Sequence, residues 1–521
     1  MDVVIGIDTG TTATKGVAAG LDGELCAHTS VHYPLSVPGS GRAELDADRL
    51  RDAAVEALTE IAKQCRERGD RVAAVSLSAF LHALVPMDAA GRPLGPLVTW
   101  ADGRAAAQSE KLADRAKALQ ARTGTPVHPM SPLTKLAWWR EHDPETLRNT
   151  PRWGGVKEVV LAGLTGDFLL DLSVASGTGL YDIHERRWDD EALDIAGVRR
   201  EQLAEVVPTT HQLRLTEEVA DAVGLPRETP LIIGAADGPL ANLGVGATPA
   251  GVAAVSLGTS GAMRTVVDRP TADAAGRLFC YALTEDRWVI GGAVNNAGSV
   301  VRWAGQSFAG GFAGPAAEGE DADEIDAALL TEAQRAAPGS EGLLCLPYLL
   351  GERAPWWRSG MRGAYIGLRR EHGRPHLVRA AVEGVCQQLA LVRDSFETEG
   401  FPVTEVRATG GAVASDLWVG VLAAALDLPV AIADTPEGTG LGAVLLGWHA
   451  LGELPDLDQA AALVDIAEPT VPDPENAALY RRMRPLIEQS ALAVADLVAE
   501  LDKIAPQPLP DTEKAVPEAS H

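Results

Sequence analysis

Four short apolar runs, at 3–7, 72–77, 230–234 and 252–257, stand far apart along the chain and are rich in Val, Ile and Leu. Their length and composition predict strands. Between and after them, apolar and polar residues recur with helical spacing over 47–66, 377–398 and 417–426, which predicts amphipathic helices. Strands alternating with helices predict an α/β protein. At 521 residues the chain is too long for one ordinary core and predicts two large α/β domains, 1–246 and 247–503. The segment 309–323, rich in Gly, Ala and acid, is expected to be a surface loop. Residues 504–521, rich in Pro and charge, are expected to form a disordered tail. One pattern occurs twice. Residues 4–17 (VIGIDTGTTATKGV) and 252–265 (VAAVSLGTSGAMRT) each run from an apolar strand through a Gly-Thr turn into a second run carrying a basic residue. The repeat suggests two related halves, each contributing a phosphate-facing hairpin to a shared cleft; two unrelated hairpins would read the same way.

Composition narrows the function classes. Lys and Arg total 45 against 72 Asp and Glu, a net charge of −27. That opposes binding to nucleic acid or to an anionic membrane surface, both of which need a basic face. It leaves room for a small basic pocket. The five cysteines are scattered and form no CxxC pair, so neither a zinc site nor a disulfide framework is expected, and a reducing cytoplasm suits them. The N-terminus enters a strand-like run without a leader pattern. The longest apolar stretch, 419–433, is broken by Asp427 and Pro429 and falls short of the ~18 residues of a membrane span.

The candidate chemistry lies at strand ends. In Asp8-Thr9-Gly10-Thr11-Thr12-Ala13-Thr14-Lys15, glycine permits close approach of a ligand to the backbone. The hydroxyls and N–H groups of Thr11 and Thr12 can meet phosphate oxygens, and Lys15 adds positive charge. Asp8, closing an apolar strand, is suited to hold Mg²⁺ directly or through water, although it would serve equally as a turn former. There is no GxxxxGK[ST] sequence. The run 438–443 has the wrong spacing for a dinucleotide fingerprint, and Gly258-Thr259-Ser260 lacks the glycine a serine-hydrolase elbow requires. Asp237 follows the small residues Gly234-Ala235-Ala236, which leave space for a substrate whose hydroxyl proton a carboxylate could accept; the same residue suits a helix N-cap. His82, the cluster Trp100-Asp102-Arg104, and Lys157 are polar residues in apolar surroundings. Each reads either as a substrate contact or as a locally satisfied group. Gly410-Gly411, after a strand and before the helix opened by Ser415-Asp416, would let a flat ring lie on the backbone.

In this order the motifs resemble those of the FGGY carbohydrate kinases, which belong with actin, hexokinase and the heat-shock chaperone ATPases. Met130-Ser-Pro-Leu-Thr-Lys135-Leu-Ala-Trp138 is similar to the family's first signature. Gly363-Ala-Tyr365-Ile-Gly367-Leu368, with His376-Leu377 and Ala380-Ala-Val-Glu383, is similar to the second. The resemblance spans about 3–490. Within the family the chain looks most like the gluconate kinases, through 99–104 (TWADGR), 122–135, 207–210, 279–298 and 349–355 (LLGERAP). Leu81-His82 and Met130 stand where glycerol kinases carry an Arg-Glu pair and an aromatic residue.

The resemblance implies two actin-like (ribonuclease H-like) domains, each a mixed sheet flanked by helices, with the active site in the cleft between them. It implies ATP with adenine at Gly410, Gly411 and Ser415, and phosphates at Thr11, Thr12, Lys15, Gly258, Thr259 and Ser260. It puts Mg²⁺ at Asp8 and gives Asp237 the role of general base, with D-gluconate phosphorylated on its terminal hydroxyl. His82, Trp100, Asp102, Arg104, Lys157 and Asp237 would contact the sugar acid, and Lys157, Arg104 and Arg353 are the candidate partners of its carboxylate. One departure is Ala13, where many relatives carry Ser. A kinase for another sugar such as D-xylulose, a non-catalytic sensor on the same fold, and a chaperone-like ATPase are the competing readings. A homodimer is compatible with the sequence.

Overall fold

The computed structural model describes residues 1–39, 41–307, 320–435 and 437–504. Two six-stranded mixed sheets organise them. The first runs in the order Gln212–Arg214, Pro230–Ala236, Arg71–Ala79, Asp2–Thr9, Ala13–Ala19, Leu25–His32; the second runs Phe279–Ala282, Trp288–Val294, Gly261–Val267, Val252–Leu257, Glu405–Thr409, Val430–Ile432. All four sequence-predicted strands are central in these sheets, because a run such as Val3–Ile7 is buried at every position and can only lie between two layers.

The internal repeat is a repeat of topology. Asp2–Thr9 pairs antiparallel with Ala13–Ala19 and parallel with Arg71–Ala79. Val252–Leu257 pairs antiparallel with Gly261–Val267 and parallel with Glu405–Thr409. Each half therefore offers a hairpin at the same place beside a parallel strand, and the two hairpin turns carry the Gly-Thr motifs.

Helix Ala47–Arg68 matches its predicted start and covers the first sheet. Asp46 caps it by accepting from the N–H groups of Asp48 and Arg49, and Gly69 ends it in the left-handed conformation that glycine adopts without cost. Helix Arg374–Thr398 begins one turn before the predicted 377, since Pro375 fits the first turn of a helix. Helix Asp416–Leu426 is as expected. Residues 309–319 of the expected 309–323 loop and 505–521 of the expected tail lie outside the described residues, and from Glu320 the chain is helical.

Two helices tie the halves together. Asp237–Gly244 packs along Gly438–Ala450, and a Cβ on Gly244 would stand 1.7 Å from the Gly438 carbonyl oxygen, one on Gly442 2.0 Å from that of Leu240. Only glycine permits such contact. The run 438–442 is therefore a helix-packing surface. The helix it opens, although late in the chain, lies on the first sheet, where a Cβ on Gly6 would be 2.5 Å from the Gly440 carbonyl oxygen. Its Leu441, Val444, Leu445 and Leu446 share a core with Val4, Val17, Ile232 and Leu240.

Candidate active site

Two cavities meet beneath the two hairpins. One, of about 290 Å³, is walled by Thr11, His82, Trp100, Met130, Tyr281, Arg353 and Trp357 among others. The other, of about 770 Å³, is walled by Thr409, Gly410, Val413, Asp434, Thr435, Gly438 and Thr439 among others. Asp237, Gly238, Ser256 and Arg264 line both. The smaller cavity draws on both halves of the chain.

Asp237 is the first residue of its helix, one position beyond the cap, which is Ala236. The N-cap reading of the sequence is thus off by one: Asp237 Oδ1 accepts from its neighbour Gly238 N at 2.7 Å, and the carboxylate stays at the seam of the cavities. Burial raises its pKa, and the Arg264 charge opposes that. Asp8, at the end of its strand, accepts from Ser78 Oγ at 2.7 Å. Burial pushes it up to about 6, helped by the charge of Asp237 and opposed by Ser78 and Lys15. The charge of Asp237 adds to the rise at Asp8, and Asp8 keeps an oxygen that no hydrogen bond reaches among the described residues, a donor of the kind a hard divalent cation takes.

The small cavity has a neutral and a cationic wall. His82 holds φ +69, an uncommon conformation for a residue with a side chain, and its Nδ1 lies 2.8 Å from the Gly177 carbonyl oxygen. That contact makes Nδ1 the donor and leaves Nε2, 3.5 Å from the Tyr281 hydroxyl, as an acceptor. Burial drops its pKa to about 3, so the ring is neutral. The neighbouring His128 is likewise lowered to about 3. Trp100 donates from Nε1 to Thr11 Oγ1 at 3.1 Å and lies under the Arg353 guanidinium, 5.5 Å from its ring centre. Arg353 Nη2 donates to the Val294 carbonyl at 3.1 Å, while its buried Nε has no partner among the described residues. Its backbone N–H is held by Glu352, a fully buried carboxylate that also accepts from Asn295 N and Asn296 Nδ2.

The first signature works from behind. Lys135, wholly buried, donates from Nζ to the carbonyls of His82 (2.6 Å) and Thr99 (2.7 Å), fixing the two loops that present His82 and Trp100. Of that signature, Met130 faces the cavity. In the second, Glu383 accepts from Gly339 N, Ser340 Oγ, Arg379 and Tyr480 and so braces the second domain.

Three expected substrate contacts are corrected by the structure. Lys157 does not face the cavity: its side chain is 1% exposed, donates to the carbonyls of Leu77, Ile233 and Ala235, and pairs with Asp171. Asp102 and Arg104 satisfy one another. The Asp102 side chain is fully buried against Ala43 N and Arg104, and Arg104 also binds Glu44 and lies against Trp138 and Trp139. Their charges are spent on loop structure.

On the nucleotide side, Gly410 has φ +101, and a Cβ there would sit 2.3 Å from the Leu257 carbonyl oxygen, whereas Gly411 faces open space. Ser415 caps the following helix by position, without a side-chain bond. Thr12 and the Gly258-Thr259 turn are exposed, and Ser260 lines the small cavity. The Thr259 carbonyl is held by Ser299 Oγ at 3.0 Å. Lys15 pairs with Glu437, 3.1 Å away, the residue before Gly438 of the larger cavity's wall. Sequence reasoning missed Arg264, Tyr281, Thr435 and Thr439. Thr435 Oγ1 is buried without a partner among the described residues. Arg264 was within view, since it is the basic residue of the second hairpin.

Residues 3–244 match the FGGY family of carbohydrate kinases, N-terminal domain, and residues 253–451 match its C-terminal domain. A gluconokinase of Bacillus subtilis (strain 168) is 38% identical over 488 residues, 93% of this chain and 94% of its own. The crystal structure of a gluconate kinase from Lactobacillus acidophilus superposes with a TM-score of 0.89 at 33% identity, covering 96% of this chain and 99% of that one. A ligand-bound xylulose kinase from the same organism superposes with a TM-score of 0.89 at 32% identity, covering 96% and 100%.

Proposed function

The chain belongs to the FGGY family of carbohydrate kinases, and from that premise we propose that it transfers the γ-phosphoryl group of ATP to the terminal hydroxyl of D-gluconate, giving ADP and 6-phosphogluconate. The observation that carries the reading is Asp237 at the seam of two cavities, one roomy enough for a nucleotide and the other lined by two arginines. A chain of net charge −27 repels an anionic sugar acid over most of its surface, so local cations in the acceptor cavity have a purpose that a neutral polyol would not give them.

ATP occupies the larger cavity, with adenine on the Gly410-Gly411 turn near Ser415. Its phosphates run toward Thr11, Thr12, Lys15 and the Gly258-Thr259-Ser260 turn. Asp8 would hold Mg²⁺, which when bound supplies charge neutralisation on the phosphates. Gluconate lies in the smaller cavity with its terminal hydroxyl at Asp237 and its carboxylate at Arg353, whose free Nε can donate to it. His82 Nε2 accepts from a sugar hydroxyl and Trp100 bounds the chain. As the hydroxyl oxygen attacks phosphorus, its proton passes to Asp237, and the pair of the breaking P–O bond stays on ADP. Phosphoryl transfer needs mainly positioning and charge neutralisation, which these groups supply. The cytoplasm, where ATP is held and the five free cysteines stay reduced, is the compartment we assign.

Coupled ADP release with Mg-ATP, measured against gluconate, xylulose, glycerol, ribulose and no sugar, tests the reading. Stimulation by gluconate alone is expected. The equal structural likeness to a xylulose kinase favours a neutral ketose as the second reading, and stimulation by xylulose would establish it instead.

A further inference from the structure

Arg264 stands apart from the other inward-facing arginines. Arg104, Arg379, Arg407 and Arg484 each spend their guanidinium on carboxylates, carbonyls or both. From the guanidinium of Arg264 no hydrogen bond or ion pair runs to any described residue, although it lies beside Asp237 and lines both cavities. The room it occupies is kept by glycine. A Cβ on Gly238 would be 3.3 Å from Arg264 Nε, and one on Gly291, its register partner, 3.0 Å from Cγ. Half-buried at the seam of the two cavities and unpaired within the described residues, the guanidinium keeps its donors free for an anion that enters there.

Which anion follows from position. The acceptor hydroxyl must sit at Asp237, and Arg264 is the cation that acts on Asp237. Arg353 acts instead on His82 and His128 and lies over Trp100. Three chain bonds span about 3.6 Å, so the five between the two ends of gluconate span about 6 Å. The carboxylate is thus carried away from Arg264, and the group that arrives there is the phosphoryl in transit. Resting on the reading of the site given above, we propose that Arg264 clamps the transferring phosphoryl group. Its N–H groups donate to the equatorial oxygens while the P–O bond to ADP breaks, the bond to the sugar oxygen forms, and Asp237 receives the hydroxyl proton. Such a guanidinium, supplied within one chain, is worth about 10³-fold in phosphoryl transfer.

The test uses the full-length enzyme with Arg264→Lys and Arg264→Gln. Expected are a fall in kcat of about 10²–10³-fold for Arg264→Gln and a smaller fall for Arg264→Lys, with gluconate and ADP dissociation constants within about threefold of wild type. Binding of ADP with aluminium fluoride and gluconate, tight in wild type, is expected to weaken in parallel with kcat. A large rise in gluconate KM at preserved kcat would overturn the proposal and make Arg264 the carboxylate's partner. Turnover within threefold of wild type in Arg264→Gln would overturn it outright. The wild-type substrate panel separates these results from failure of the gluconate reading, which would appear there first.

Discussion

Lys157 Nζ lies 3.3 Å from Asp171 Oδ2, both side chains are shut off from solvent, and the same ammonium caps the carbonyls of Ile233 and Ala235 two to four positions before Asp237. This pair is a strut beneath the strand that leads to Asp237. Removing one member of a buried pair leaves an uncompensated charge and costs about 3–5 kcal/mol, whereas removing both costs less. Lys157→Met is expected to lower the denaturant midpoint sharply. Adding Asp171→Asn, which keeps the acceptor that caps Val174 N, should recover part of the loss. A Lys157→Met enzyme of wild-type stability with a greatly raised gluconate KM would return Lys157 to the substrate site.

Much of this architecture is legible in the sequence because its signals are periodic. A run such as Val252–Leu257, apolar on both faces, has one way to be buried, and the strand has those bounds. Asp8 and Asp237 were legible as candidates because each carboxylate closes an apolar strand, although a turn former and a helix cap read the same way in sequence. Lys157 was misread because a core lysine and a ligand lysine interrupt an apolar run identically; only the positions of Asp171 and three carbonyls, up to 80 residues away, tell them apart. Asp102 and Arg104 were misread for the same reason, their partner Glu44 being 60 positions from Arg104. Arg264 was overlooked as the basic residue of an ordinary hairpin. Its exposure to both cavities depends on Gly238 and Gly291, which belong to two other elements.

Asp237→Asn keeps the size of the side chain and removes its basicity. Turnover should fall by about 10²–10⁴-fold while ATP affinity changes little. Because burial raises the Asp237 pKa and the base acts as the carboxylate, wild-type kcat/KM should be lost as pH falls, on a limb above the ordinary aspartate range. A folded Asp237→Asn enzyme with near-normal turnover would sink the assignment.

Arg353→Met removes the guanidinium over Trp100 and keeps most of the apolar volume. A charge-assisted hydrogen bond contributes about 1.5–3 kcal/mol, so gluconate KM should rise about 10–100-fold. A neutral polyol of equal length should lose much less. Equal losses for both would show that Arg353 acts on the shape of the cavity and not on the carboxylate.

Asp8 yields a prediction in which stability and activity move in opposite directions. Its folded pKa, about 6, lies above its unfolded value near 3.8, so the fold favours the protonated form. Between those values the native state binds more protons than the unfolded state, and stability falls as pH rises through the window. Two units correspond to about 1–3 kcal/mol once partial exposure is allowed for. The ligand-free enzyme should therefore be less stable at pH 8 than at pH 5 from this site. Asp8→Asn, which can still accept from Ser78, should flatten that dependence and be the more stable protein at pH 8. Its turnover should nonetheless collapse, because the carboxylate proposed to hold Mg²⁺ is gone. Thermal unfolding at both pH values, with and without Mg-ATP, checks this. Mg-ATP should raise the wild-type midpoint at pH 8 well beyond that of Asp8→Asn. Equal stabilisation of the two proteins would remove Asp8 from the metal site and leave its raised pKa as a consequence of burial beside Asp237 alone.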